Sequence, residues 1–265
     1  MEELSWLRNL TKTKKFQLPV PLVSNAKKLL EIVSTVEIPD GRKVALFRWT
    51  EGRFFVKTIS EKHMLMLGMH IANLHVESKK EKVKHRRYWD AEGLLGKEAK
   101  FGDIDNLQGA SRDQQFIVTK ARKKLFKKFK RYELRFPNKM GLIHADLHTG
   151  NFLFNTDGIA LIDFDDCGFG FFGYDVAIPI MSLDRFEKMS RKRKKILKEA
   201  FFSEYRKVLP WDASDDKILE DFITARRLLM LGWLNSRSDN PRLKKHFKNA
   251  LKHTIKHVNV QLGIT

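Results

Sequence analysis

Residues 141–177, GLIHADLHTGNFLFNTDGIALIDFDDCGFGFFGYDVA, place His144, Asp146, Asn151 and Asp163 around one short hairpin. The apolar run Met140–Ile143 leads into His144-Ala145-Asp146. A strand is predicted over Asn151–Phe154, Asp157-Gly158 is a turn of the kind two-residue hairpins favour, and Ile159–Ile162 returns. Asn151 then starts the first strand and Asp163 ends the second, so the hairpin sets them side by side. Asp146 precedes Asn151 by five residues, in the loop entering the hairpin, where its carboxylate could accept a proton from a hydroxyl. Oxygen-only ligands such as Asn151 and Asp163 suit Mg²⁺, which keeps several waters and takes its other ligands from phosphates.

A base for a nucleophile, together with metal ligands that neutralise a transferring group, is what phosphoryl transfer requires. The spacing H-x-D-x-x-x-x-N followed by Ile162-Asp-Phe-Asp165 resembles the small-molecule branch of the protein-kinase-like fold, the aminoglycoside phosphotransferase and choline kinase family. The resemblance implies roles residue by residue. Asp146 would be the catalytic base and Asn151 and Asp163 the metal ligands. Asp175, in Tyr174-Asp-Val-Ala177, would support the catalytic loop together with His144. A Ser/Thr protein kinase would carry Asp-Phe-Gly and a later Ala-Pro-Glu. Asp163-Phe-Asp165 replaces the first and the second is absent, so a small-molecule hydroxyl is the expected acceptor.

Other readings of the segment are weaker. A plain hairpin with solvated acids does not account for four role-matched polar residues at family spacing. His144 and His148 are spaced like a helical zinc pair, but His148 reads better as a loop residue near substrate or a neighbouring backbone. Gly168-Phe-Gly-Phe-Phe-Gly173 matches the dinucleotide pattern by letter, yet Tyr174-Asp-Val-Ala and a proline follow where a helix and a second strand are needed. These glycines are read as a flexible equivalent of an activation segment. Cys167, the single cysteine, excludes an intramolecular disulfide and fits a reducing compartment. Negative charge beside it should raise its pKa and leave it a poor nucleophile.

The 265 residues carry twenty Phe and five Trp, enough for a packed core. No apolar run approaches the length of a membrane span, and the acidic start Met1-Glu-Glu-Leu-Ser-Trp is unlike a signal peptide. A soluble, cytoplasmic protein is expected. The net charge of +19 gathers in Lys79–Arg87, Lys120–Arg131 and Arg191–Lys198. In the second run Leu125, Phe126, Phe129 and Tyr132 recur at helical spacing, which describes an amphipathic helix with a basic solvated face. No helix-turn-helix, RNA-recognition or zinc-finger pattern accompanies the charge, so nucleic acid is not the expected partner. His253 and His257, with lysines around them and no acid, read as surface residues. Oligomeric state has no sequence signature.

Along the chain, Glu2–Leu10 reads as a helix with Leu4, Leu7 and Leu10 on one face, and Leu18-Pro-Val-Pro21 as a break. Leu30–Ile38 and Val44–Trp49 read as strands joined at Pro39-Asp-Gly41. Ser60 is a plausible N-cap for a helix to about His75, with Met64, Leu67, Gly68, Ile71 and Leu74 buried. Residues 78–115 are polar and uninformative apart from Tyr88-Trp89-Asp90. Helical patterns follow at 184–208, 215–236 and 241–260.

The family resemblance implies an α+β fold, with residues 1–50 a reduced N-terminal β lobe and hinge, and 51–265 a mainly helical C-terminal lobe. It places the backbone of Arg48, Trp49 and Thr50 against the base of ATP or GTP. A kinase-like site normally adds a glycine-rich loop and a strand lysine paired with a helix Glu. Neither lies upstream of the first helix here, and Glu3, the candidate helix Glu, is expected to have no lysine to hold. The reading frame either begins inside an N-lobe or is a natural short version. The expected function is Mg²⁺-dependent transfer of a γ-phosphate to a small molecule, slowed by the missing charge stabilisation. The alternative is a catalytically inactive, kinase-like binding protein with a basic surface.

Overall fold

The computed structural model describes residues 2–54, 59–81, 86–97, 99, 101, 104–186 and 189–264. The chain runs α1 (Glu2–Lys12), β1 (Val20–Leu22), β2 (Glu31–Val33), β3 (Arg42–Val44), β4 (Leu46–Arg48), α2 (Glu61–Ser78), β5 (Tyr88–Trp89), α3 (Ala91–Leu95) and α4 (Arg112–Arg135). It continues with β6 (Met140–Ile143), β7 (Phe152–Asn155), β8 (Gly158–Leu161), β9 (Gly168–Phe171), α5 (Phe172–Ser182), α6 (Arg191–Val208), α7 (Ala213–Asn235) and α8 (Pro241–Leu262). Two compact units result, each drawn from three stretches of chain: Met1–Arg86 with Asp146–Cys167 and Ser182–Pro210, and Arg87–Ala145 with Gly168–Met181 and Trp211–Thr265.

In the first unit, α1 buries Leu4, Trp6, Leu7 and Leu10, the face its spacing predicted. Ser60 caps α2 by accepting from His63 N (3.3 Å), while His63 Nδ1 accepts from Ser60 N (3.1 Å), so an imidazole fills the place a Glu or Gln usually takes in a capping box. The buried side of α2 includes Met64, Leu67, Gly68, Ile71 and Leu74, and it packs against α6. His75 Nδ1 lies 2.8 Å from the Tyr205 hydroxyl across that contact.

The strands of this unit depart from the sequence reading. Val44–Trp49 is not one strand. Residues 42–44 pair with β2, and 46–48 pair with β1 in the register Val20↔Arg48, Pro21↔Phe47, Leu22↔Leu46. Pro21, read as a breaker, is tolerated because each strand of a two-stranded sheet is an edge and its missing N–H can face outward. The hairpin β7–β8 forms with Asn155 opposite Gly158, so its loop residues are Thr156 and Asp157, one position earlier than expected. Gly158, at φ +138°, takes a backbone that side chains rarely adopt. Gln17 bridges to Ala160 and Arg53 to Phe154, flanking the hairpin on both sides.

In the second unit β9 is the middle strand of a three-stranded sheet, parallel to β5 and antiparallel to β6. Gly168–Phe171 is therefore a buried strand, not a flexible loop. Its glycines are needed for close packing: a Cβ on Gly170 would stand 2.5 Å from Trp89 Cβ and 2.9 Å from Ile143 Cδ1. The helix α5 that follows was missed in the sequence, where Pro179 argued against continuation. The core here is aromatic. Phe129 stacks on Phe222 at 4.7 Å between ring centroids, and Trp89 on Tyr174 at 5.8 Å. The long helix α4 buries Val118, Ala121, Leu125, Phe129 and Tyr132 and leaves its lysines outward. Part of the basic run Lys79–Arg87 lies outside the described residues. Among the described residues no helix is long and apolar enough to cross a membrane.

Candidate functional site

The first unit holds Asp146, Asn151 and Asp163 together. Asn151 ends a short 3-10 turn, Thr149–Asn151, directly before β7 rather than opening the strand. Its Nδ2 donates to the Asp146 carbonyl (2.9 Å) and reaches Asp146 Oδ2 at 3.4 Å. Its backbone carbonyl oxygen accepts from Ile162 N (3.1 Å), which sets Asp163 one residue beyond a fixed pairing with Asn151. The hairpin forms and places Asp163 next to the backbone pairing of Asn151, although the strand limits differ from those expected. Asp163 takes φ +65°, a left-handed backbone that Asp tolerates better than most residues.

His148 serves the same turn. Its Nδ1 accepts from Gly150 N (2.9 Å), and its Nε2 lies 3.5 Å from Asp146 Oδ2. Asn151 N in turn donates to the His148 carbonyl (2.9 Å). The ring is a cap on neighbouring backbone, and among the described residues no group of three or more His, Cys, Asp and Glu side chains is placed to hold a metal by itself.

In the second unit His144 and Asp175 are both fully buried. The Asp175 carboxylate accepts from the backbone amides of His144 (3.1 Å) and Ala145 (2.8 Å), the two residues that lead into Asp146. Ala145 is held at φ +68°.

A cavity of about 350 Å³ in the first unit is lined by Arg48, Trp49 and Thr50 together with Leu153, Ile162 and Asp163. Glu3 and Asp165 also face it. Sequence reasoning had the hinge residues and Asp163 as separate features; the structure puts them on one cavity. It missed the cation. Arg86 Nη2 lies 3.1 Å from Glu3 Oε2, 3.0 Å from the Phe164 carbonyl, 2.9 Å from the Asp165 carbonyl and 3.0 Å from Cys167 Sγ. Glu3 therefore has a basic partner, an arginine from the far end of the unit's first stretch of chain. Nothing marks Arg86 in the sequence, where it is one of many basic residues. Burial lifts the Glu3 carboxyl above its ordinary range while Arg86 pulls it back. Burial is also the main reason the Cys167 thiol is pushed up to about 12, with Glu3 and Asp165 adding to it and Arg86 opposing. Desolvation thus outweighs the neighbouring charge that the sequence suggested as the cause.

Comparison with known proteins matches residues 2–211 to the phosphotransferase enzyme family. Amicoumacin kinase of Bacillus subtilis (strain 168) is 26% identical over 258 residues, covering 90% of this chain and 70% of that protein. Among solved structures, a microcompartment-associated aminopropanol kinase superposes with a TM-score of 0.80 at 26% identity, over 98% of this chain and 79% of that one. Choline kinase LicA from Streptococcus pneumoniae shares the fold at 12% identity and a TM-score of 0.64, over 97% of this chain and 80% of its own. The kinase-like α+β architecture expected from the family resemblance is thus the architecture of these neighbours. The chain belongs to the phosphotransferase enzyme family.

Proposed function

We propose that the chain transfers the γ-phosphoryl group of ATP or GTP to a hydroxyl of a small molecule, with Asp146 as general base. The observation that carries this reading is the Asn151 side chain, whose amide nitrogen is committed to Asp146. That leaves its carbonyl oxygen as the atom for a cation, beside an Asp163 that faces the same cavity as the hinge backbone. An amide oxygen and a carboxylate suit Mg²⁺, whose remaining positions go to phosphate oxygens and water. When bound, such an ion would neutralise charge on the transferring phosphoryl group.

In the reaction the acceptor oxygen bonds to the γ-phosphorus and the bond to the leaving diphosphate oxygen breaks. The hydroxyl proton passes to Asp146. Its side chain is 21% exposed, open enough to meet an acceptor and steadied by Asn151 and His148. The hinge backbone of Arg48–Thr50 would carry the base. One relative is named for aminopropanol, and we infer an amino alcohol as the first acceptor to try, ahead of sugars and aminoglycosides. Magnesium dependence, solution in the cytoplasm and a partnership with small molecules rather than nucleic acid belong to the same proposal. Residues 1–50 would then act as the nucleotide-side lobe and 51–265 as the rest.

The test follows ADP release by this chain across a panel of amino alcohols, sugars and aminoglycosides. Asp146→Asn should reduce transfer by about 10²–10⁴-fold. If the chain releases no ADP with any acceptor, or the Asn variant is as fast, a non-catalytic binding protein replaces the kinase.

A further inference from the structure

Helix α1 and the segment that begins at Asp163 meet at a single cation. All four groups that Arg86 Nη2 touches belong either to α1, through Glu3, or to the residues just after Asp163, through Phe164, Asp165 and Cys167. A second contact joins the same two elements: the Trp6 ring meets Phe164 edge-on, with centroids 5.5 Å apart and planes at 76°. The Arg86 side chain is 24% exposed and that of Glu3 18%, so the ion pair is shielded in part from solvent.

Asp163 needs such support. Its left-handed φ of +65° persists only where the flanking chain is tied down. The two peptide carbonyls that follow it are tied down by Nη2 of the guanidinium. Three carboxylates, Glu3, Asp163 and Asp165, face the one cavity, and their mutual repulsion would spread them without a cation behind.

We propose that Arg86 is a positioning residue that locks Glu3 of α1 to the backbone of Phe164 and Asp165, and so sets Asp163 for a metal-bound nucleotide. It sets a positive charge beside Glu3 from the side of the acidic segment. This rests on the reading of Asp163 as a metal ligand.

The experiment is a calorimetric titration of the 265-residue chain with AMP-PNP, with Mg²⁺ and again with chelator. Wild type, Asp163→Asn, Arg86→Gln, Arg86→Lys and Glu3→Gln are compared, and circular dichroism checks each fold. Displacing a ligand by even about 1 Å can cost roughly 10²-fold, so Arg86→Gln should lose at least about tenfold of the affinity that Mg²⁺ adds, while metal-free binding stays within about twofold. Arg86→Lys should recover part of the loss, because an ammonium keeps the charge beside Glu3 but does not reproduce the planar placement of Nη2 between Glu3 and the two carbonyls. Equal weakening with and without Mg²⁺ would mean general structural support and overturn the proposal, as would an unchanged Mg²⁺ effect in a folded Arg86→Gln. Should that variant not fold, a full Mg²⁺ effect in both Arg86→Lys and Glu3→Gln overturns it equally. If Mg²⁺ adds nothing in wild type, or Asp163→Asn keeps its effect, the metal assignment fails and the inference with it. Loss in Asp163→Asn without loss in the Arg86 variants removes the inference alone.

Discussion

Asp175 holds the backbone that leads into Asp146. It is fully buried, and each carboxylate oxygen takes one backbone proton, Oδ2 from His144 and Oδ1 from Ala145. Ala145 sits at φ +68°, a conformation disfavoured for an L-residue by roughly 1–2 kcal/mol, and these hydrogen bonds help hold it there. Asp175→Ala would strand both donors out of reach of water, at about 1–3 kcal/mol for each. Asp175→Asn keeps one acceptor oxygen, so it should cost less than the alanine. Urea denaturation curves rank the two, and an alanine variant as stable as wild type would refute this account. Asp175 was legible because the family resemblance marks it within Tyr174-Asp-Val-Ala177. Arg86 was not, because its partners lie 83, 78 and 79 residues away in Glu3, Phe164 and Asp165, and only folding gathers them.

Gly68 decides how closely α2 and α6 pack. A Cβ there would overlap the carbonyl oxygen of Phe201 and stand 2.9 Å from its carbonyl carbon. Helix propensity favours Gly68→Ala by about 1 kcal/mol. Overpacking against a backbone atom, which cannot swing aside, costs typically about 1–3 kcal/mol. The second effect should win, so Gly68→Ala is expected to lower the unfolding free energy by up to about 2 kcal/mol, read from the denaturation midpoint. A more stable alanine variant would mean that α6 yields. Helices such as α1, α2 and α7 could be read from the chain because their apolar spacing and caps are local properties. The small strands could not be read in the same way. Whether 42–44 pairs with β2 and 46–48 with β1 depends on which partner folding presents, and residues 42–48 contain no break that says so. The glycine strand β9 was misread for a related reason: its glycines answer to Trp89 and Ile143, which are distant in sequence.

Charge is the property of the whole molecule that bears most directly on partners. The +19 excess is carried largely on helix faces whose opposite sides are committed to the core. α4 buries Leu125 and Phe129 while Lys120, Lys123, Lys127 and Arg131 stand exposed; α8 buries Phe247, Leu251 and Val258 and has no acidic residue between Pro241 and Leu262. Amphipathic packing alone accounts for this arrangement, since a helix that buries one apolar stripe must leave its other face to water. Such a surface attracts any polyanion without reading its sequence. Association with duplex DNA is therefore expected in the non-specific range, roughly 10⁻⁴–10⁻⁶ M at physiological salt, falling steeply as salt rises because phosphate contacts release counterions. Fluorescence anisotropy on several unrelated duplexes, each titrated at two or more salt concentrations, measures both the affinity and the slope. Equal, weak and salt-sensitive binding would leave the cavity at Asp163 as the seat of specificity. Tight binding to one duplex over the others would place specificity on the basic helices instead, and the small-molecule acceptor would have to be abandoned.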